Sequence, residues 1–315
     1  MHADGDMTPP PRGGQSAATD AAAAFSLPAR GARPYLVFVR AGAQSLHRRL
    51  IAEDPQRNWD CCVSWYVPPI PENLAEYYSS GGGAFNKLEG FLEFWRRRPE
   101  PWPYRYTLMF DDDLYVHPGD LSRFFALCDR YHTYVSQPAL RWFTHTTLNV
   151  LVRNPACLLR RVTLVEVMAP CFSAAALEQL VHTFDWTKST WGIDLAWGGE
   201  LQNKHSLYVV DAVAMDHTRT GDGRPTPFYL KLLSLGVDPQ AELARIKARY
   251  PSFPGHRNEP DGHVYRPGLP TALAPTAMWL FERLKFIVRA RKKLARAWRD
   301  GRARLEDRWR RPQDR

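Results

Sequence analysis

The sequence lacks several features that would place it in a specialised class of protein. No uncharged apolar run approaches the roughly 20 residues that a membrane-spanning helix needs, which argues against an integral membrane protein. The N-terminus has no continuous apolar core of about 7–15 residues, so we expect no cleaved secretory signal. Only five of the 315 residues are cysteine, and they lack the spacing of metal ligands. This predicts buried free thiols in a reducing compartment.

Most of the chain also lacks a net charge. Residues 275–315 hold 14 Lys+Arg against 5 Asp+Glu, which accounts for the whole excess of +9, whereas residues 1–274 hold 28 of each kind. A fold that binds polyanions through its own surface would carry its positive charge in the body. The charge belongs instead to a localised basic tail, and this disfavours nucleic acid as a partner.

The order of segments indicates the fold class. Residues 1–33 are rich in Ala, Gly, Pro and Ser, which predicts a disordered leader. Beyond them, short apolar runs alternate with segments of helical spacing, as is typical of βαβ units. We therefore predict an α/β fold over residues 34–250, with a single mixed, mostly parallel, Rossmann-like sheet flanked by helices. A linker over 251–275 and a basic amphipathic helix over 276–315 follow. The predicted strands are Tyr35–Arg40, Trp59–Val67, Tyr104–Phe110, Tyr134–Gln137, Val162–Pro170 and Leu207–Met215. The predicted helices are Gln44–Ala52, Ala84–Arg96, Pro118–Asp129, Ala174–Thr183, Trp191–Gly198, Phe228–Leu235 and Pro239–Arg249.

Three consecutive carboxylates, Asp111, Asp112 and Asp113, directly follow an apolar strand. Ligands of open α/β sheets bind beyond the carboxyl ends of the strands. Alternation along an extended chain sends Asp111 and Asp113 to one side, and two converging carboxylates favour a bound cation. Oxygen ligands predict Mg²⁺ or Mn²⁺. The alternative is an acidic cluster that stabilises the N-terminus of the helix beginning at Pro118.

The strand, the triplet and the following Leu114-Tyr115-Val116 resemble the metal-binding motif of glycosyltransferases with the nucleotide-sugar-binding A-type fold. A closer resemblance is to an uncharacterised glycosyltransferase-like family of bacteria and plants, whose plant members carry a label relating them to lysine-ketoglutarate-reductase trans-splicing. The further segments that carry the resemblance, over roughly residues 35–235, are Val135–Leu140, Val165–Ser173, Trp191–Leu195 and Val210-Asp211.

This resemblance implies a metal-dependent glycosyltransferase that moves a sugar from a nucleotide-diphosphate donor to a hydroxyl acceptor such as a cell-surface glycan or glycolipid. It implies a metal site formed by Asp111, Asp113 and His217. The residues that it implies for the nucleotide donor are Arg40, Ala41, Gly42, Lys87, Asp111, Asp112 and Arg219.

The acceptor hydroxyl needs a base. The resemblance to inverting A-type enzymes implies Asp194, in Trp191-Gly-Ile-Asp194, for direct displacement at the anomeric carbon. Glu166 is the second candidate, because a carboxylate in an otherwise apolar segment is costly to bury without a partner. Trp191 and Trp197 are candidates for stacking on sugar rings. The Gly-containing loop from Thr218 to Pro227 has the composition of a lid over the donor.

Two other functions stay open at this point. The Asp111-x-Asp113 pattern after a strand is also found in haloacid-dehalogenase-like phosphatases, which makes a metal-dependent phosphohydrolase one alternative. A non-catalytic module that binds a sugar or a partner is the other.

The tail has apolar residues at three- and four-residue steps or their sums, with basic residues between them. Such a basic amphipathic helix suits an anionic membrane surface, and a helix packed by one stripe on the domain is the alternative. The sequence thus predicts a cytoplasmic protein, with a peripheral position on the inner face of the cell membrane as one option. The apolar positions are Leu280, Leu284, Ile287, Leu294, Trp298, Leu305 and Trp309.

Overall fold

The computed structural model describes residues 33–79, 84–98, 100–144, 146, 148–201, 206–219, 227–253, 255, 257, 260, 262–270 and 272–288. The predicted leader, apart from residue 33, and the tail beyond residue 288 lie outside the described residues. The strands are β1 (Tyr35–Ala41), β2 (Trp59–Trp65), β3 (Tyr77–Ser79), β4 (Tyr106–Asp111), β5 (Leu114–Tyr115), β6 (Val135–Leu140), β7 (Cys157–Val162), β8 (Cys171–Ser173), β9 (Leu207–His217) and β10 (Gly262–Tyr265). The helices are α1 (His47–Ala52), α2 (Lys87–Trp95), α3 (Asp120–Arg130), α4 (Ala174–Leu180), α5 (Ile193–Leu201), α6 (Pro227–Ser234), α7 (Pro239–Arg249) and α8 (274–288).

The strands form one mixed sheet in the order β10-β7-β9-β6-β8-β4-β1-β2-β3, with β5 paired to the end of β9. The core is mostly parallel, because β1 pairs with β2 and β4, β2 with β3, and β6 with β9 in the parallel sense. Strand β8 runs antiparallel between β4 and β6. The predicted fold class, an α/β fold with a single mixed sheet flanked by helices, is confirmed.

The burial of β1 on both faces explains its continuous apolar run. All seven of its residues are buried. Tyr35 stacks on Phe125 of α3, with ring centroids 4.8 Å apart, and Phe38 meets Phe91 of α2 edge to face at 5.2 Å. Because residues 35 and 38 point to opposite faces of the strand, the two helices cover the sheet from opposite sides.

The topology defines where a ligand can enter. The chain moves from β1 through α1 to β2 and β3 on one side, and then returns through α2 to β4 on the other side of β1. The strand order therefore reverses between β1 and β4, and the carboxyl ends of these two strands flank the crevice where open α/β sheets bind ligands. Residues Arg40 and Asp111 lie side by side there.

Several boundaries differ from the sequence prediction. The strand predicted over Val162–Pro170 is wrong, because β7 ends at Val162 and residues 163–170 form a loop. Two carbonyls of this loop, those of Val167 and Met168, accept hydrogen bonds from Lys87. Within the range predicted as a linker, β10 pairs with β7. The five cysteines are buried and free, as predicted. Among the described residues, no helix combines the length and apolar character needed to cross a bilayer.

Candidate functional site

The acidic triplet lies in the crevice because it is at the end of β4, close to the end of β9. Strand β4 ends at Asp111, and after Asp112 and Asp113 the chain turns back into β5. Strand β5 then pairs with the end of β9, placing Leu114 opposite His217. Thr218 fixes the turn, since its amide and hydroxyl both donate to the Asp113 carbonyl, at 3.0 and 2.7 Å. The pairing thus brings the end of β9 next to the triplet.

Asp111 is held by Lys87. The Lys87 ammonium is buried and donates to Oδ1 of Asp111 at 2.5 Å. It also lies 3.2 Å from the carbonyl of Met109, 2.9 Å from that of Val167 and 2.8 Å from that of Met168. Burial lowers the pKa of Lys87, and the charge of Asp111 opposes this effect. The lysine therefore compensates one carboxylate of the triplet from inside the protein.

The start of α2 directs Lys87 inward. Asn86 caps this helix, because its side chain accepts a hydrogen bond from the Glu89 amide at 3.0 Å. The Glu89 carboxylate in turn accepts from the Phe85 amide at 2.8 Å. Such reciprocal caps fix where a helix begins. Lys87 consequently occupies the first helical position, at the sheet, rather than a solvated face of the helix.

Asp112 is bound on the opposite side of the triplet. Its carboxylate accepts hydrogen bonds from the Gly42 amide at 2.9 Å, the Tyr66 hydroxyl at 3.1 Å and the Arg219 guanidinium at 2.6 Å. Tyr66 lies over Gly42 so closely that a Cβ at position 42 would be 2.1 Å from the tyrosine hydroxyl. The close approach of this exposed ring to the chain after β1 therefore requires glycine.

Asp113 and His217 form the third pair. Nε2 of His217 lies 3.1 Å from Oδ2 of Asp113, and the Arg219 guanidinium is 3.8 Å from the same oxygen. The hydrogen bond with Asp113 raises the pKa of His217. Burial alone would raise the pKa of Asp113, but His217 and Arg219 hold it below its ordinary value. Thr144 steadies the histidine by accepting from its backbone amide at 2.7 Å.

The carboxylate oxygens of Asp113 fit a Mn²⁺ or Mg²⁺ ion, whereas the imidazole nitrogen of His217 is a softer ligand than these cations generally take. Asp111 turns instead to Lys87. In the part of the chain that the structure describes, no group of three or more His, Cys, Asp or Glu side chains is arranged to hold a metal ion. The predicted three-ligand set is therefore not assembled, and a metal would take its remaining ligands from elsewhere.

Two other residues predicted to bind the donor, Arg40 and Ala41, are buried within the protein. Arg40 lies buried beneath α2, where it donates to the Ser64 hydroxyl at 2.7 Å and to the Ala84 carbonyl at 2.6 Å. Ala41 is buried at the end of β1. Of the predicted lid, Thr218 and Arg219 are described and contact the triplet, whereas residues 220–226 lie outside the described residues.

Asp194 lies in the first turn of α5. Gly192 precedes it with φ of +83°, a left-handed conformation that glycine adopts without strain and that begins the helix. Oδ1 of Asp194 accepts from the adjacent Leu195 amide at 2.9 Å, and burial raises the pKa of Asp194 to about 6. Among the described residues, no hydrogen bond or ion pair joins Asp194 to the triplet, so its place in the reaction stays a prediction.

Glu166 lies in the loop between β7 and β8, which also supplies two of the Lys87 carbonyls. Its amide donates to the Gln137 side chain at 2.6 Å. Its charge contributes, less than that of Asp113, to the raised pKa of His217. Trp197 is in the core, where its indole donates to Thr183, whereas Trp191 is exposed.

Sequence reasoning did not identify Tyr66 or Thr144 as site residues. Tyr66 directly follows β2, so the rule that ligands bind at carboxyl ends applies to it as it does to the triplet. Thr144 follows β6 in a segment without a distinctive pattern. Its role depends on a contact with a strand 73 residues further along the chain, which no local signal reveals.

No model of a known protein family and no curated protein matches the chain. Among solved structures, the chain is similar to GalNAc-T7 with UDP, GalNAc and Mn²⁺, at 11% identity and a TM-score of 0.44, over 69% of this chain and 47% of that one. It is also similar to TarS 1–349 of S. aureus in complex with UDP-GlcNAc, at 12% identity and a TM-score of 0.38, over 70% and 73% of the two chains. The chain thus spans about half the length of the GalNAc-T7 structure. Similarities this slight carry no argument about ligand or activity.

Proposed function

We propose that the chain is a metal-dependent glycosyltransferase that moves a sugar from a nucleotide-diphosphate donor to a hydroxyl acceptor. One observation carries the proposal: Gly42, the acidic triplet and His217 converge at the point where the strand order reverses. This is where open α/β sheets bind nucleotides, and the triplet brings to it the oxygen chemistry that a diphosphate-bound cation requires.

The nucleotide would lie against the chain after β1. Tyr66 offers an exposed ring beside the Gly42 backbone, and Asp112 offers carboxylate oxygens for ribose hydroxyls. Arg219 carries a positive charge at the same place, 2.6 Å from Asp112, where it can meet phosphate oxygens. Asp113 and His217 would hold the Mn²⁺ or Mg²⁺ ion, whose chemistry when bound is to stabilise negative charge on the leaving diphosphate.

Asp194 is the proposed base. With its pKa raised to about 6, its carboxylate is mostly ionised at neutral pH yet more basic than an ordinary aspartate, so it is suited to accepting a proton from an acceptor hydroxyl. Attack of that oxygen on the anomeric carbon, with departure of the nucleoside diphosphate, gives inversion. Glu166 is the second candidate for this role, and a glycan or glycolipid is the proposed acceptor.

The Asp113→Ala variant tests the donor site. We expect it to weaken Mn²⁺-dependent binding of UDP or GDP at least about tenfold, because the metal loses a charged ligand. Titration calorimetry with and without Mn²⁺ measures this, and a screen of UDP- and GDP-sugars then identifies the donor. Asp129→Ala is the matched control. Asp129 lies on α3, outside the triplet, and its carboxylate pairs with Arg105 at 2.9 Å.

Unchanged Mn²⁺-dependent binding by Asp113→Ala would contradict the metal assignment. Hydrolysis of simple phosphomonoesters without sugar transfer would favour the phosphohydrolase. Donor binding without either reaction would favour a non-catalytic module.

A further inference from the structure

Helix α8 is fixed to the domain by a polar network in addition to apolar contacts. Glu282 accepts from Asn154 at 2.8 Å and from Lys285 at 2.7 Å, and it lies 3.4 Å from the guanidinium of the fully buried Arg160. Lys285 is itself only 2% exposed. A helix whose charged side chains are buried in this way cannot rotate about its axis without removing those charges from their partners.

The fixed orientation turns large apolar side chains to the solvent. Trp279 is 57% exposed, Leu280 48%, Phe286 45% and Ile287 52%. We call these four residues the outer face of α8. Trp279 and Phe286 are seven residues apart, as are Leu280 and Ile287, so the four lie on one side of the helix. Clustered apolar surface of this kind is unusual on a soluble monomer and marks an interaction site.

The charge of the chain that follows indicates the partner. Residues 289–315 hold 12 Lys+Arg against 4 Asp+Glu, an excess of eight positive charges directly after the outer face. On α8 itself, the guanidinium of Arg283 lies 5.4 Å from the ring centre of Trp279. Exposed apolar side chains that are followed in the sequence by a large excess of basic residues match a bilayer surface that presents anionic headgroups above an apolar interior.

We propose that the outer face of α8 is a membrane-docking surface that seats the protein on an anionic lipid bilayer, with the basic residues after it attracted to the headgroups. The helix would lie in the interface and not cross it. This proposal stands independently of the glycosyltransferase activity, because in the described part of the chain no hydrogen bond or ion pair joins α8 to the triplet.

The surface is nevertheless connected to the candidate site. Phe281 of α8 meets Trp142 edge to face, with ring centroids 6.0 Å apart. Trp142 belongs to the loop after β6 that also contains Thr144, the residue bonded to the backbone of His217. The helix that carries the outer face is therefore packed, through its domain-facing side, against the loop that borders the candidate site.

Vesicle flotation with the full chain tests the proposal. We expect binding to vesicles of phosphatidylcholine and phosphatidylglycerol, little binding to phosphatidylcholine alone, and weakening by added salt. The double variant Trp279→Ser, Phe286→Ser should lose at least about tenfold in affinity for the anionic vesicles. The matched control is Leu230→Ser, Leu233→Ser, which removes two leucines of α6 that are each 53% exposed.

Equal losses in the two double variants, or wild-type binding by the α8 variant, would overturn the proposal. So would a concentration-dependent dimer, seen in analytical ultracentrifugation, that the α8 variant abolishes without any change in vesicle binding, because the outer face would then contact a second copy. Far-UV circular dichroism of both variants verifies that the fold is retained.

Discussion

Replacing Asp211 by alanine should destabilise the whole domain. Asp211 and Arg160 are both fully buried, and the guanidinium contacts both carboxylate oxygens, at 2.6 and 2.9 Å. The same carboxylate accepts from the Asn154 amide at 2.7 Å, and so it joins β9 to β7 and to the segment before β7. Removing it leaves a buried guanidinium without its main partner and a buried amide without its acceptor.

The magnitude follows from what remains around Arg160. Removing one member of a buried ion pair costs about 3–5 kcal/mol. Glu282 stays 3.4 Å from the guanidinium and the Val152 carbonyl stays at 2.9 Å, so Arg160 keeps part of its compensation. We therefore expect the lower end, about 3 kcal/mol of unfolding free energy. In a domain of this size that corresponds to a fall in Tm of roughly 6–12 °C.

Thermal and urea denaturation followed by circular dichroism measure this change. Asp216→Ala is the matched control, because Asp216 also lies on β9 and pairs with an arginine, Arg141, at 2.9 Å, but both side chains are about one-third exposed. A surface pair of this kind contributes less than about 1 kcal/mol. If Asp211→Ala destabilises the protein no more than Asp216→Ala does, the reasoning from burial is refuted.

Two further variants test the site. Asp194→Asn should reduce sugar transfer at least about 100-fold if Asp194 is the base. Because burial raises the pKa of Asp194 to about 6, ionisation of this carboxyl group weakens the fold as the pH rises through that value. The variant should therefore be more stable than the wild type by about 2–3 kcal/mol at pH 8 and equal to it near pH 4. Equal urea midpoints at both pH values would contradict the burial of that charge. Gly42→Ala should displace the Tyr66 ring from its place over the backbone and lower the stability by less than about 1 kcal/mol. If the ring contacts the nucleotide, this displacement should weaken the binding of UDP or GDP measured by calorimetry. Restoration of binding by adding Tyr66→Ala, or undiminished binding by Gly42→Ala alone, would show that the ring itself does not contact the nucleotide.

The elements that sequence analysis predicted are those in which a local pattern and the tertiary environment agree. The seven buried residues of β1 read as a continuous apolar run, and the predicted helix Pro239–Arg249 coincides with α7 because Asp238 caps it and a proline occupies its first turn. For β1 and α7 the relevant information lies within about ten residues. The pairing of His217 with the triplet was implied by the family resemblance and not by a local pattern, because the two are about a hundred residues apart.

The strand β7 shows why other elements were missed. Its sequence contains Arg160 and Arg161, which are untypical of a central strand, and Arg160 is compatible with burial only because Asp211 lies opposite it. The register of β6 against β9 shifts between Pro138 and Ala139, so β9 contains a bulge near Asp211. A bulge and a long-range ion pair leave no periodic signal. Asp211, part of a segment that suggested a family resemblance, therefore has a structural contact that no motif indicated.

The same limit applies to the charges of the site. Lys87 reads in the sequence as a helix lysine available to a diphosphate, yet its ammonium is buried against Asp111 and three carbonyls. Arg219 and His217 balance the other two carboxylates of the triplet in the same pairwise way. The electrical neutrality of residues 1–274 is consistent with such local pairs, but a total charge cannot say which lysine meets which aspartate. A donor diphosphate would bring negative charge to a place where Lys87, His217 and Arg219 already have partners. Its binding would therefore need a further cation or a redirected Arg219, and we expect the wild type to bind UDP or GDP more tightly with Mn²⁺ than without it.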